Sequence, residues 1–240
     1  MRWSERLYAM GIHIIFSCVL LSIALYLVFV VWYPSPLDQA MGVNDIFWIF
    51  LSIDLILGPL LTFIVFNKNK KELKRDLAII VVLQISAYLF GLHTVAQGRP
   101  VWQVFVVDDI ELVRDVDSQG ENSTYKSSII QKPMWTAAVY SSDPKIAQKQ
   151  KEDEMFNGVS LATQIDAYQP IENRKQKILQ TLKNIEYLDQ FNESETVEQI
   201  LKKYPNAVGY LPVKGYVKDM SALFDSVGTP IAIVDLRPWN

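Results

Sequence analysis

The chain contains few of the residues that build disulfides and metal centres. Its 240 residues include one cysteine, Cys18, and two histidines, His13 and His93. Cys18 falls within the first of three long apolar runs, so the C-terminal part has no cysteine with which to form a disulfide. The histidines fall in different apolar runs, near opposite ends of the membrane crossing that these runs predict, and cannot share an ion. We expect interfacial histidines, no metal site and no cofactor.

Catalytic signatures are also missing. The sequence has no glycine-rich phosphate loop, no Gly-x-Ser-x-Gly elbow and no spaced cluster of cysteine and histidine. Its apolar runs hold one acid, Asp54, whereas an aspartyl intramembrane protease needs a pair. Residues 97–240 contain 16 Lys and Arg against 20 Asp and Glu, which gives no basic surface for nucleic acid. We expect a protein that is not an enzyme, with no catalytic, cofactor-binding or metal-binding residues and no nucleic-acid partner.

Three apolar runs fill most of the first 96 residues, at about 11–32, 46–66 and 77–96. Each is roughly 20 residues long, enough to cross a hydrocarbon core of ~30 Å as a helix. Helix is the expected state because the backbone must satisfy its own hydrogen bonds inside a bilayer. The sequence therefore predicts a three-helix transmembrane anchor over residues 1–96. An α+β domain of mixed strands with two to three helices is predicted for residues 97–240.

The cations predict how the anchor is oriented. Arg2 and Arg6 precede the first run, and residues 67–75 hold five cations against one acid, whereas residues 33–44 have no cation. The positive-inside bias places the N-terminus and the 67–75 loop in the cytoplasm. In a Gram-negative cell the anchor would then lie in the inner membrane and the C-terminal domain in the periplasm. No small-residue cleavage site follows the first run, and Trp32-Tyr33-Pro34 is typical of an interfacial anchor instead.

Asp54 is the costly residue of the predicted anchor. A carboxylate at such a depth costs ~2.5–3.5 kcal/mol on insertion scales, so it should be protonated, paired or turned toward the bundle interior. Matching depths between antiparallel helices places Ser22 and Tyr26 of the first run and Gln84 of the third at its level. Three interpretations remain open: Asp54 holds the helices together, it meets a polar group of a partner helix in a lateral groove, or it relays protons.

Gly58 and Pro59 follow Asp54 within the second run. Pro59 has no N–H to donate to the carbonyl of Leu55, so a kink is expected there. Small residues on the first run, among them Ser17, Ser22 and Ala24, would allow another helix to approach closely.

The C-terminal domain shows strand signals at both ends and helix signals between them. Strands are predicted at 101–107, with 110–114 continuing the same extended region, and at 135–140. A helix should start with Asp143 as N-cap and Pro144 at its first position, run to about Phe156 and stop before Gly158. A second helix is predicted over 171–191, and a short third one starts at Ser194 and ends at Tyr204-Pro205. Three strands at 207–212, 221–225 and 230–235, separated by turns at Gly215 and Gly228, complete the domain.

At several points the chain resembles the type IV pilin accessory proteins, the TfpX/TfpZ and FimB-like inner-membrane proteins. The resemblance rests on Asp54-Leu-Ile-Leu-Gly-Pro-Leu-Leu61, the lysine-rich turn, Gln84 and Gly98-Arg-Pro-Val-Trp-Gln-Val-Phe105. It covers about half of the chain. It implies a chaperone-like accessory protein that binds one major type IV pilin and aids its assembly into fibres, without catalytic residues. The candidate pilin-contact or bundle polar residues are Asp54, Gly58, Pro59, Gln84, Arg99, Ser22 and Tyr26.

The expected partners are therefore the lipid bilayer and both parts of the pilin, its membrane helix and its periplasmic head. Two linked contacts raise the effective concentration of each and need not be strong individually. Two alternatives stay open. One is a membrane-anchored periplasmic sensor or ligand-binding protein, which would need a separate signalling partner. The other is a pilin-modifying enzyme, which three helices without an acidic metal motif fit poorly.

Overall fold

α-Helices make up the N-terminal part of the chain. The computed structural model describes residues 3–239, and within them it leaves out the side chains of Ile46, Ile49, Phe50, Leu51, Ile53 and Asp54. The helices are α1 (Trp3–Tyr26), α2 (Leu37–Met41), α3 (Val43–Val65) and α4 (Leu73–Gln97), and α1 continues as a π-helical stretch over Leu27–Trp32. α3 packs against both α1 and α4. We call these three long helices the helical bundle.

Two stretches in the described part of the chain are long and apolar enough to cross a membrane, Trp3–Trp32 and Leu73–Gln97. They indicate that the protein is anchored in a membrane. The third predicted crossing, at 46–66, is not confirmed. α3 is 23 residues long, but its described apolar stretch is the shorter Leu55–Val65. The first and third helices begin earlier than predicted, because each starts with a polar turn that an apolar run does not include.

The outward faces of the bundle are apolar. Ile15 on α1 is 67% exposed, and Leu83 and Phe90 on α4 are 63% and 68% exposed. A continuous apolar surface of this kind is unfavourable in water and marks a surface that contacts lipid or protein. The helices therefore bury one face against each other and leave the other for a membrane.

The part of the chain after α4, here called the sheet domain, is built on a mixed sheet. Strands β1 to β8 cover Pro100–Val106, Asp109–Arg114, Met134–Ala138, Tyr168–Gln169, Lys183–Asn184, Gly209–Lys214, Met220–Phe224 and Pro230–Val234. Their order is β4-β3-β1-β2-β6-β7-β8, with β5 also paired to β6. The β1–β3 and β2–β6 pairs are parallel and the others antiparallel. The helices are α5 (Pro144–Asn157), α6 (Lys175–Thr181) and α7 (Ser194–Leu201), which confirms a domain of mixed sheet and helices.

Local signals in the sequence located several of these elements. The Asp143 side chain accepts hydrogen bonds from the N–H groups of Lys145 and Ile146, and α5 ends at Gly158 in the left-handed conformation (φ 65°). The α7 helix and the three C-terminal strands also lie close to their predicted positions. α5 has its capping residues in the sequence itself, and the three strands are separated by turn glycines, which is why local chemistry was enough to place them.

Two predictions for the sheet domain were wrong. Residues 110–114 do not continue the first strand, because β1 and β2 form a hairpin that turns at Val107 (φ 56°). A β-branched residue in this conformation is unusual and gives no turn signal. The predicted helix over 171–191 is broken at Leu182, where the backbone is extended (φ −54°, ψ 131°) so that β5 can pair with β6. This tertiary pairing overrides the helical period of the sequence.

Both faces of the sheet are packed, and α2 belongs to one of them. Successive residues of β1 point to opposite faces, so Val104 packs in one hydrophobic cluster and Phe105 in another. Leu37 and Ala40 of α2 are buried in the same cluster as Phe105 and Met220. The carbonyl oxygen of Ala40 accepts hydrogen bonds from the N–H groups of residues 217 and 218, at 2.8 and 3.3 Å. The segment that joins α1 to α3 is thus part of the core of the sheet domain.

Trp32 and Tyr33 are buried where the bundle meets the sheet domain, at 2% and 3% exposure. The indole N–H of Trp32 donates to the carbonyl oxygen of Ile129 at 2.6 Å, and the Tyr33 hydroxyl donates to that of Val95 at 2.7 Å. The interpretation of these residues as interfacial anchors was therefore wrong. Their polar groups hold protein segments together where α1 ends.

Candidate functional site

Four buried polar side chains meet inside the helical bundle. They are His13 and Ser17 of α1, Thr62 of α3 and Gln84 of α4, and each is at most 8% exposed. His13 Nδ1 lies 2.6 Å from Thr62 Oγ1, and His13 Nε2 is hydrogen-bonded to Gln84 Oε1. Gln84 Nε2 donates to Ser17 Oγ at 2.9 Å. We call these residues the polar cluster, and it links all three helices of the bundle.

Gly58 makes room for the polar cluster. A Cβ atom at this position would lie 2.3 Å from Gln84 Oε1 and 2.8 Å from His13 Nε2, closer than non-bonded atoms can approach. Pro59, the next residue, is buried as well, and α3 continues through it as a helix. The absence of a side chain at residue 58 therefore allows α3 to approach the histidine and the glutamine.

An apolar groove opens beside the polar cluster. It has a volume of about 260 Å³ and is bounded by α1, α3 and α4. His13 and Thr62 form part of its wall. The other lining residues are apolar: Ala9, Ile12, Phe16, Phe66, Leu77 and Val81. We call it the bundle groove.

A second groove of about 320 Å³ adjoins the bundle groove toward the start of α1. Both are lined by Ala9, Ile12 and Phe66. Glu5 and Lys68 lie in the wall of the second groove and form an ion pair of 3.1 Å. The two grooves together thus end in charged groups, at the end of the bundle farther from the sheet domain.

The predicted site residues Ser22 and Tyr26 do not join the cluster. Ser22 and Tyr26 are exposed on α1, and Ser22 donates to the carbonyl oxygen of Cys18. The side chain of Asp54 lies outside the described residues. The depth matching that put Gln84 level with Ser22 and Tyr26 was wrong, because Gln84 bonds to His13 and Ser17 of α1, which lie five to thirteen residues nearer the N-terminus. The matching assumed that the helices start where the apolar runs start, whereas α1 and α4 start earlier in the structure.

Arg99 occupies the junction between α4 and β1. It is 3% exposed, and its guanidinium group donates to Asp115 Oδ2 at 3.0 Å and to the carbonyl oxygen of Ala96 at 2.6 Å. Burial raises the pKa of the neighbouring Tyr33 hydroxyl, against the opposing positive charges of Arg99 and Arg114. Tyr33 therefore stays protonated and can act as a donor. Arg99 therefore connects α4 to the sheet domain. This role differs from a contact with a partner helix inside the membrane.

Sequence reasoning missed three members of the polar cluster, His13, Ser17 and Thr62. His13 was expected to be interfacial, but it is buried and bonded to two other helices. A signal was present, since His13 and Ser17 are four residues apart and so share one helix face in an otherwise apolar run. Among the described residues no group of three His, Cys, Asp or Glu side chains could hold a metal ion.

Similarity to known proteins adds a further observation. The family model for the fimbrial assembly protein FimB matches residues 1–42. The chain is also 38% identical over 109 residues to a "Fimbrial assembly protein, serogroups C1 and C2" of Dichelobacter nodosus. The matched residues make up 45% of this chain and 83% of that protein. The chain belongs to the FimB family of fimbrial assembly proteins. The family match runs through α1 and α2, and thus contains residues of both the polar cluster and the sheet-domain core.

Two longer FimB relatives are similar to the same extent. They are the fimbrial assembly proteins of serogroups I and E1 of the same bacterium, each 38% identical over 109 residues. The chain matches 42% of the length of each. No solved structure matches the chain.

Proposed function

We propose that this FimB-family protein is an accessory protein of a type IV pilus that binds its cognate major pilin in the inner membrane and aids pilus assembly without catalysis. Its relatives are named fimbrial assembly proteins, which supports a role in the same process. In this proposal all three long helices cross the membrane. The N-terminus is then cytoplasmic and the sheet domain periplasmic.

The bundle groove is the observation that carries this proposal. A pilin waiting in the membrane has a hydrophobic helix, and the groove offers apolar walls at membrane depth between α1 and α4. The ring nitrogens of His13 and the Thr62 hydroxyl are bonded within the polar cluster, so the contact with a partner helix would rest on the apolar walls of the groove. A volume of about 260 Å³ accommodates one or two large side chains rather than a whole helix. The pilin helix would therefore lie over the groove and insert side chains into it.

The firm joint between bundle and sheet domain supports a second contact, with the pilin head. Leu37 and Ala40 pack in the core of the sheet domain, and Arg99 joins the end of α4 to Asp115. A domain held in this way keeps a constant distance from the bundle. A pilin bound in the groove would then present its head to the sheet domain at high effective concentration. Asp54, Ser22 and Tyr26 remain candidates for further contacts with the pilin helix.

Filling the groove tests the proposal. Ala9 lines both grooves, so Ala9→Phe should occupy the space that a pilin side chain needs. We expect crosslinking to the pilin in native membranes and the yield of sheared pili to fall several-fold, with the abundance of the variant on a blot unchanged. Ala87→Phe is the matched control, because Ala87 is exposed on α4 away from the groove lining. Equal pilus yields from the two variants would rule out the groove as the pilin contact.

The proposed orientation makes a separate prediction. A periplasmic reporter fused after residue 240 should be active, and the same reporter inserted into the 67–75 loop should be inactive, because the cations of that loop resist translocation. The measurement is reporter activity per unit of fusion protein. The reverse pattern, or activity at both positions, would contradict three crossings with a cytoplasmic N-terminus.

A further inference from the structure

The loop before β3 exposes two large apolar side chains at the tip of a turn. The carbonyl oxygen of Ser128 accepts a hydrogen bond from the N–H group of Gln131 at 3.0 Å, so Ile129 and Ile130 are the central residues of a β-turn. Their side chains are 56% and 73% exposed. Turn centres usually hold Pro, Asp, Asn, Ser or Gly. Two isoleucines at such a tip have no role in folding the turn and point to something outside the chain that covers them.

The tip is fixed at the end of the helical bundle nearer the sheet domain. Trp32, the last residue of the first membrane-length helix, donates its indole N–H to the carbonyl oxygen of Ile129 at 2.6 Å. Arg99, two residues after the end of α4, donates from Nη2 to the carbonyl oxygen of Ser128 and to Ser127 Oγ, both at 3.4 Å. The turn is therefore held where α1 and α4 leave the apolar layer.

A second apolar tip lies beside the start of α3. Tyr216 and Val217, in the turn between β6 and β7, are 67% and 69% exposed. The N–H group of Val217 donates to the carbonyl oxygen of Ala40. Val217 packs so closely on Gly42 that a Cβ there would lie 2.6 Å from Cγ2 of the valine. Exposed apolar side chains thus lie beside the ends of all three bundle helices that are nearer the sheet domain.

Charge indicates what covers the first tip. Lys126 and Lys132 flank the two isoleucines, both are exposed, and no ion pair is formed by either within residues 3–239. Apolar side chains between free lysines are the pattern of a segment that enters the boundary between acyl chains and anionic headgroups. A protein partner would not explain why the tip lies level with the helix ends.

We propose that the 128–131 turn inserts Ile129 and Ile130 into the bilayer leaflet on the side of the sheet domain, with Lys126 and Lys132 at the phosphates of anionic lipids. The insertion rests on the membrane placement in the proposed function, but it does not require a pilin. It gives the sheet domain a third attachment to the membrane besides the α1–α3 connection and the α4–β1 junction. Its effect is to hold the sheet against tilting over the bundle.

The test uses the full-length protein in vesicles of phosphatidylethanolamine and phosphatidylglycerol. In a Cys18→Ser background, single cysteines replace Ile130, Val227 or Ile15 and carry an environment-sensitive fluorophore. Val227 is the aqueous control, because it is 57% exposed in the turn at the other end of β7 from Tyr216 and Val217. Ile15 is the membrane control, on the exposed face of α1. Spin-labelled lipids in the vesicles quench any fluorophore that lies in the acyl layer.

We expect blue-shifted, lipid-quenched emission at residues 15 and 130 and aqueous, unquenched emission at residue 227. Replacing both Lys126 and Lys132 by Gln should reduce the quenching at residue 130 and leave that at residue 15 unchanged. Aqueous emission at residue 130 with a quenched residue 15 would overturn the insertion and leave the proposed function intact. Aqueous emission at residue 15 would overturn the membrane anchoring as well. A quenched residue 130 together with equal pilus yields from Ala9→Phe and Ala87→Phe would leave the insertion standing and remove the bundle groove as the pilin contact.

Discussion

Gly58→Leu should destabilise the helical bundle by about 2–5 kcal/mol, since it overpacks a close helix contact and breaks hydrogen bonds between the helices. Even a Cβ at residue 58 would lie 2.3 Å from Gln84 Oε1. A leucine must therefore displace Gln84 and His13 and separate α3 from its neighbours. We expect a lower midpoint of thermal unfolding for the protein in nanodiscs and a lower abundance in membranes.

Gly11→Leu is the control for this substitution. Nothing lies within 4 Å of a Cβ at Gly11, and leucine is a better helix former than glycine by up to about 1 kcal/mol. The control should thus unfold at the same temperature as the parent protein or slightly above it. If Gly58→Leu matched Gly11→Leu, the polar cluster would contribute nothing to the stability of the bundle.

Leu37→Ala should destabilise the sheet domain, although residue 37 belongs to the segment between two helices of the bundle. The leucine is 3% exposed among Phe105, Ile110 and Met220. Truncating a buried leucine to alanine costs about 2–5 kcal/mol, because the lost contacts leave a cavity. We expect faster proteolysis of the sheet domain in the full-length protein reconstituted into nanodiscs, followed by the appearance of fragments on a gel.

Leu179→Ala makes the matched comparison. Leu179 lies on α6 in the sheet domain and is 41% exposed, so its truncation should change stability by no more than about 0.5 kcal/mol. Equal proteolysis rates for the two variants would show that α2 only lies against the sheet and does not stabilise it.

Local chemistry made part of the fold predictable. Asp143, Pro144 and Gly158 define the ends of α5 in the sequence, and the structure has the cap that they predict. The long apolar runs located most ends of the bundle helices to within a few residues; the start of α1 is the exception. These features depend on neighbouring residues only, so no knowledge of tertiary packing was needed.

Tertiary contacts explain what the sequence did not reveal. β5 interrupts a segment of helical period because β6 is available to pair with it. α2 was not predicted, since nothing in a short loop indicates that Leu37 will be covered by strands far along the chain. The candidate residues Gly58 and Gln84 do meet in the bundle, but His13 and Thr62 complete the cluster. Which polar residues of three helices meet depends on helix starts and offsets, which apolar runs define only approximately.

Because α2 is buried in the sheet domain, its apolar side is covered late in synthesis. Leu37 is synthesised 183 residues before Met220, a strand residue of the same hydrophobic cluster. During synthesis the apolar side of the short α2 helix stays uncovered until β6 and β7 have been made. Closing such a distant contact is slow, because a long loop must be ordered first. This part of the core is therefore completed only when the last strands fold, and a chain stopped before β7 would leave Leu37 and Ala40 uncovered.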